Sequence, residues 1–229
     1  MSHGEKSVVL APSLLSADFA DLSSAIQAAE EGGAGAFHLD VMDGHFVPNI
    51  SFGPALVKAV RRRTSLPLDI HLMISEPEKY LGEFAKVGGA TLAMHIESQG
   101  DHRKLITEAR RLNARPGIAI SPDTPLSRVE SLLPEIDELI VMGVYPGFSG
   151  QKYIPSTTDK LAAARKLLDR TGRSIDLSID GGITLETAPS AARSGANFFV
   201  CGNSVYGNGK SPQDNLGELR RAIAQGPPR

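Results

Sequence analysis

FHLDVMDGHF, residues 37–46, is the stretch on which the fold turns. Phe37, Leu39 and Val41 alternate with His38 and Asp40, and the run breaks at Asp43-Gly44. Successive side chains of a strand project to opposite faces. One face of this strand is therefore apolar, while the other carries an imidazole and a carboxylate. LDIHLM, residues 68–73, repeats the arrangement, with Asp69 and His71 sharing a face against Leu68, Ile70 and Leu72. IDLSID, residues 175–180, ends in Asp180 and runs into Gly181-Gly182. Burying such groups without partners is costly, so they require one another, water or an ion.

Further β-rich runs lie at 8–13, 91–97, 117–121, 138–144 and 197–202, which makes eight. Helix-like stretches separate them. In 21–33, Asp21 is placed to cap the start and Gly32 or Gly33 the end. A helix is expected over 77–90, with Pro77 in its first turn. Pro134 should stop any helix in SRVESLLPEIDE just before it. DKLAAARKLLDRTG, residues 159–172, spaces Leu161, Ala164, Leu167 and Leu168 along one face. Strands alternating with helices imply a parallel sheet with right-handed crossovers. Eight such units predict a single (β/α)8 TIM barrel over 1–229, with 225–229 as a loose tail. A doubly wound open sheet is the competitor, but no early G-x-G-x-x-G follows the first strand.

A barrel builds its chemistry at the C-terminal ends of its strands. His38, Asp40, His71 and Asp180 all fall near such ends, and together they read as ligands of one shared metal. Two imidazoles and two carboxylates suit Zn²⁺, Fe²⁺, Co²⁺ or Mn²⁺. Asp69 reads as a supporting group and Asp43 as a turn residue. Gly181-Gly182 and Gly202-Asn203-Ser204 follow the seventh and eighth strands, where barrels often hold phosphate. The glycine loop 145–151 reads as a lid or as an ordinary turn. Met42, Met73 and Met142 fall at or near strand ends, where they are either pocket lining or flexible core filler.

The formal charge of the 229 residues is −2, with Lys+Arg 24 and Asp+Glu 26. That balance offers no electrostatic case for nucleic acid or an anionic membrane. No apolar run approaches membrane-spanning length. The N-terminus does not read as a secretory signal, and the single cysteine, Cys201, allows no intrachain disulfide. A cytoplasmic location is the expectation.

APSLLSADF, FHLDVMDGHFVPN, LDIHLMI, PGFSGQKYIP and IDGGIT together resemble the ribulose-phosphate 3-epimerase family over nearly the whole chain. The resemblance implies a (β/α)8 barrel with one divalent metal per chain, Zn²⁺ or Fe²⁺ foremost. It implies C3 inversion of D-ribulose 5-phosphate to D-xylulose 5-phosphate within the pentose phosphate pathway, and assembly as a homo-oligomer. It makes His38, Asp40, His71 and Asp180 the metal ligands, and Asp40 and Asp180 the acid/base pair. It places Ser13, His71, Gly147, Phe148, Ser149, Gly150, Asp180, Gly181 and Gly182 at the substrate, with Gly202 and Asn203 at the phosphate end. It also suggests that the three methionines line the pocket.

Family members commonly read NPGFGGQ, GSA and VEVDGG where this chain has YPGFSGQ, GNS and LSIDGG. Tyr145, Ser149, Asn203 and Ser178 are therefore departures, and none removes an expected ligand. An epimerase of a related hexulose 6-phosphate is the nearest alternative. A decarboxylase or aldol-type lyase would place a lysine in D-x-K-x-x-D, whereas the corresponding stretch here is DVMD. A non-catalytic sugar-phosphate or metal binder would have no use for two carboxylates facing one ligand carbon.

Overall fold

The computed structural model describes residues 7–225. Its strands are β1 (Val9–Pro12), β2 (Phe37–Met42), β3 (Leu68–Met73), β4 (Thr91–His95), β5 (Arg115–Ile120), β6 (Glu138–Met142), β7 (Asp176–Asp180) and β8 (Phe198–Cys201). Its α-helices are α1 (Leu22–Glu31), α2 (Pro54–Arg61), α3 (Leu81–Lys86), α4 (His102–Arg111), α5 (Thr157–Arg170), α6 (Ala188–Arg193), α7 (Asn203–Tyr206) and α8 (Pro212–Ala224). All strand pairs are parallel, in the order β1-β8-β7-β6-β5-β4-β3-β2. At the β1–β2 seam, a parallel bridge joins Ser13 to His38, and the Gly35 N–H donates to Leu10 O at 2.9 Å. The sheet is a nearly closed (β/α)8 barrel.

Two faces of this sheet bury different chemistry. Phe37, Leu39, Val41, Leu68, Ile70 and Leu72 point outward and join the main core beneath the helices. The alternate residues fill the lumen, where Ala93, Ala119, Ile140 and Met142 pack together and Ala11, Phe198 and Val200 form a second small cluster. Small side chains on β4 and β5 leave room for the polar groups of β2 and β3. At Gly117 even a Cβ would come 2.9 Å from Ala93 Cβ.

The helices show where local sequence decides. Asp21 caps α1 by accepting from Ser24 N–H, and Gly32 closes it. In α5 the buried stripe is Leu161, Ala164 and Leu168, while Leu167 is only partly covered. The stretch expected as one helix over 77–90 divides into a 3₁₀ turn, Pro77–Lys79, and the short α3. Between β5 and β6 the described residues form no α-helix, only 3₁₀ turns at Leu126–Arg128 and Glu130–Glu135. Pro134 lies inside the second of these rather than just beyond it, because a short 3₁₀ segment lacks the i−4 carbonyl contact that Pro breaks in an α-helix. Of the expected tail 225–229, all but Gln225 lies outside the described residues. Among the described residues no helix is long and apolar enough to cross a membrane.

Candidate active site

The site follows from strand register. His38 pairs with Asp69, Asp40 with His71 and Met42 with Met73, so three inward rungs rise from the barrel floor to its mouth. On the far side, Met142 pairs with Asp180 and Asp180 with Val200. Asp180 thereby meets the β2–β3 rungs across the lumen. His38, Asp40, His71 and Asp180 each offer one ligand atom, and these four atoms lie within 4.8 Å of one another. The structure thus brings together all four expected ligands.

Each imidazole turns a different nitrogen to the cluster. His38 Nδ1 lies 2.7 Å from Asp69 Oδ2, which leaves Nε2 3.2 Å from Asp40 Oδ1 and 3.8 Å from Asp180 Oδ2. His71 Nδ1 lies 3.2 Å from Asp40 Oδ1 and 3.3 Å from Asp180 Oδ2. Burial opposes charge on both rings, but the neighbouring carboxylates outweigh it. Asp40 and Asp69 hold His38 well above its ordinary value, and hydrogen bonds with Asp180 and Asp40 raise His71 to about 9. Asp40 is pushed up by burial, yet His38 and His71 hold it far below the usual carboxylate range. The Ser13 hydroxyl donates to its Oδ2 at 2.5 Å. Two buried carboxylates here demand positive charge, whether from imidazole protons or from a cation.

Asp69 is therefore the supporting group expected from the sequence. Asp43 is a turn residue that also ties loops together. Its carboxylate accepts from the N–H groups of His45, Phe46 and Ser75, each at 2.8 Å.

Sequence reasoning missed three groups. His95 Nε2 lies 2.9 Å from His71 Nε2, and its Nδ1 lies 2.9 Å from Glu97 Oε2. Burial pushes His95 down to about 4. The third is Glu138, the buried first residue of β6, whose Oε1 accepts from the Ser178 hydroxyl. Burial, with the Asp69 charge adding to it, raises Glu138 well above the ordinary value. Ser178 is one of the departures noted from the sequence, where the resemblance implies an acid, and here the adjacent strand brings a carboxyl group against it.

Above the cluster opens a cavity of about 620 Å³, a size suited to a small phosphorylated metabolite. Asp40, Asp180 and Ser13 border it, as do Met42, Met73 and Met142, so the thioethers do line the pocket. Gly147 to Gly150, Gly181, Gly182, Gly202 and Asn203 border it too. His38 and His71 are fully buried and do not. The loop 147–150 is tied down by Asn49, whose Nδ2 donates to Gly147 O at 2.8 Å, yet Phe148 remains 53% exposed at the mouth. Tyr145 donates its hydroxyl to Asp123.

The Ser16 and Ser204 hydroxyls beside the cavity are buried without a hydrogen-bond partner, and Ser204 belongs to the expected phosphate loop 202–204. Gly182 has φ +70°, and a Cβ there would lie 2.6 Å from Tyr153 N and Cα. Gly182→Ala is expected to lower stability by about 1–3 kcal/mol, read as a fall in the denaturation midpoint at unchanged m.

Fold and site together define a (β/α)8-barrel enzyme with its chemistry at the C-terminal mouth. The family model described as "Ribulose-phosphate 3 epimerase family" matches residues 9–206. Ribulose-phosphate 3-epimerase of Bacillus subtilis (strain 168) is 43% identical over 201 residues, covering 87% of this chain and 93% of that protein. The chloroplastic ribulose-5-phosphate-3-epimerase of Arabidopsis thaliana is 41% identical, covering 87% of this chain and 72% of that one. The chain belongs to the ribulose-phosphate 3-epimerase family and is a carbohydrate epimerase. Among solved structures, 3-keto-L-gulonate-6-phosphate decarboxylase from Vibrio cholerae shares the fold with a TM-score of 0.72 at 16% identity, covering 97% of this chain and 100% of that one.

Proposed function

We propose that the chain inverts C3 of D-ribulose 5-phosphate to give D-xylulose 5-phosphate, with Asp40 and Asp180 as the two acid/base groups. The observation that carries this reading is the pair of carboxylates, one from β2 and one from β7, converging at the base of a single cavity. Inverting a carbon beside a ketone removes a proton from one face and returns one to the other. Two groups on different sides of the carbon do this, where a single base would have to cross the ring of contacts. One carboxylate leaves with the substrate proton while the other, protonated, donates its own, and the roles exchange in the reverse direction.

Ser13 aims Asp40 by donating to Oδ2, which leaves Oδ1 toward the cluster. The donor set fits a borderline divalent ion: two imidazole nitrogens and two carboxylate oxygens converge, and the outer nitrogen of each ring is engaged by Asp69 or His95. His38, Asp40, His71 and Asp180 would hold the ion, with Zn²⁺ or Fe²⁺ foremost and Mn²⁺ or Co²⁺ compatible. When bound, it supplies Lewis-acid stabilisation of negative charge developing on the substrate oxygens. The methionines give this region an apolar, water-poor lining in which such electrostatic help counts for more.

At the other end, the Ser16 and Ser204 hydroxyls join the backbone of Gly182, Gly202 and Asn203 as candidate phosphate contacts. A Cβ at Gly202 would come 2.6 Å from Ser16 Oγ, so the close approach there depends on glycine. Gripping the phosphate remote from C3 contributes binding energy that orients the reacting carbon.

The test is solvent exchange. In D₂O, deuterium should enter C3 of ribulose 5-phosphate as xylulose 5-phosphate accumulates, and kcat/KM should exceed that for a hexulose 6-phosphate. Neither exchange nor product from metal-loaded protein would remove the proposal, and the reverse substrate preference would move it to the larger sugar.

A further inference from the structure

The cluster's second imidazole is not held by a carboxylate in the way His38 is held by Asp69. His71 instead meets another fully buried imidazole, His95, nitrogen to nitrogen at 2.9 Å. The two rings are 21° from coplanar with centroids 5.0 Å apart, as expected for rings meeting edge to edge through one nitrogen each. Behind His95 stands Glu97, whose Oε2 lies 2.9 Å from His95 Nδ1. Glu97 Oε1 already accepts from the Ser121 N–H at 2.9 Å and from the Thr124 hydroxyl. Those acceptor roles favour the ionised form of Glu97. Its pKa lies at about 2, since the hydrogen bonds from His95, Thr124 and Ser121 outweigh the upward push of burial.

These contacts determine where each proton sits. An ionised carboxylate only accepts, so His95 must carry hydrogen on Nδ1. A neutral His95 then has a lone pair on Nε2, and that lone pair faces His71 Nε2. The hydrogen between the two rings must come from His71. Its own Nδ1 is left toward Asp40 and Asp180, where the ligand atoms converge.

We propose that His95, braced by Glu97, is a positioning residue that fixes His71 with its proton on Nε2, so that Nδ1 is kept for the metal. The inference rests on the reading of the cluster as a metal site. Rotating the His71 ring by half a turn would present a carbon to the cluster, and the bond to His95 opposes that rotation. The Phe46 ring packs against His95 at 4.8 Å between centroids and limits its own swing. Lys160 holds the far end of the chain of contacts, donating to Ser121 O, Pro122 O and Thr124 O at 2.7, 3.0 and 2.5 Å. The elements that set one ligand's orientation thus include β4, the loop after β5, and α5. Interposing a ring also keeps the Glu97 charge one residue further from the ion than Asp69 stands on the His38 side.

The experiment is competitive Zn²⁺ titration of the full chain, paired with isotope-labelled histidine NMR of the Zn²⁺-loaded protein. His71 should show hydrogen on Nε2 and the metal-induced shift on Nδ1. His95→Phe, which cannot accept that hydrogen, should weaken Zn²⁺ binding by about 10–100-fold. His95→Gln, whose amide oxygen can accept it, should stay close to the wild type. Glu97→Gln keeps every ring in place but can donate to His95 Nδ1. It should weaken binding and blur the His71 assignment, which covers the case of a poorly folded His95→Phe. Zn²⁺ binding that His95→Phe and Glu97→Gln leave unchanged, or hydrogen on His71 Nδ1, overturns this inference alone. A wild type that binds no Zn²⁺, or a His71→Ala variant that binds it undiminished, overturns the metal reading itself and the inference with it.

Discussion

Asp180→Asn and Asp40→Asn should each lower epimerisation by about 10³-fold or more, since general acid–base catalysis by one positioned group contributes roughly 10²–10⁴-fold. An amide of the same shape can neither take the C3 proton nor return one. The more telling result concerns exchange without inversion. With one carboxylate gone, the survivor can still remove and replace a proton on its own side of the carbon. Each variant should therefore wash solvent deuterium into one epimer while leaving the other untouched, and the two variants should favour opposite epimers. Mass spectrometry of recovered ribulose and xylulose 5-phosphate reads this directly. Both residues also belong to the four-residue cluster that could hold a metal, so bound metal has to be measured in each variant. Exchange lost in both epimers with metal retained would mean that the remaining carboxylate does not reach C3. Full turnover in either variant would remove that residue from the proton path.

The contrast between Asp40 and His95 shows what the chain discloses about itself. His38, Asp40, Asp69 and His71 stand out because each interrupts an alternating apolar run, and alternation alone puts them on one face. Asp180 stands out because a glycine pair follows it at a strand end. Counting strands then implies a barrel, and a barrel mouth gathers these ends. What sequence leaves open is register. His95 is the lone histidine of TLAMHIE, and only the pairing of β3 with β4, which sets His71 against Ala93, puts it level with the rung above His71. Its signal was present in Glu97, two residues on and sharing its face, but a pair of that kind commonly sits at a strand end for other reasons. Glu138 is harder still, because an acid at the start of ELIVM reads as the solvent-exposed entry to a strand. Its burial depends on Ser178, 40 residues later, and on the small residue Gly117 beside it. Helices were misjudged where proline and short length favour 3₁₀ geometry, as after β5.

Stripping divalent metal should silence the enzyme as fully as losing a carboxylate, and for a separable reason. The cluster gathers two carboxylates in a buried environment at the cavity floor, where uncompensated negative charge is expensive. Without an ion, imidazole protons meet that demand, and this is why His38 and His71 are both held above their ordinary values. Protons on these rings balance the resting charge but give nothing to the developing charge on the substrate oxygens, whose stabilisation by a cation amounts to several kcal/mol. Chelation is therefore expected to reduce turnover by about 10³-fold or more, the equivalent of roughly 4 kcal/mol in the barrier. Solvent exchange at C3 should fall in step, because the failing step is proton removal itself. His38→Ala and His71→Ala should behave like chelated wild type, with low metal content and little recovery at added Zn²⁺ concentrations that restore the parent. Returning Zn²⁺, Fe²⁺, Mn²⁺ and Co²⁺ singly to the chelated protein should rescue activity to different extents, since the same N/O donor set accepts all four. A thoroughly metal-free protein that still epimerises at the parent rate would leave the two aspartates acting alone, and the four-residue cluster would then be a buried ion-pair network rather than a metal centre.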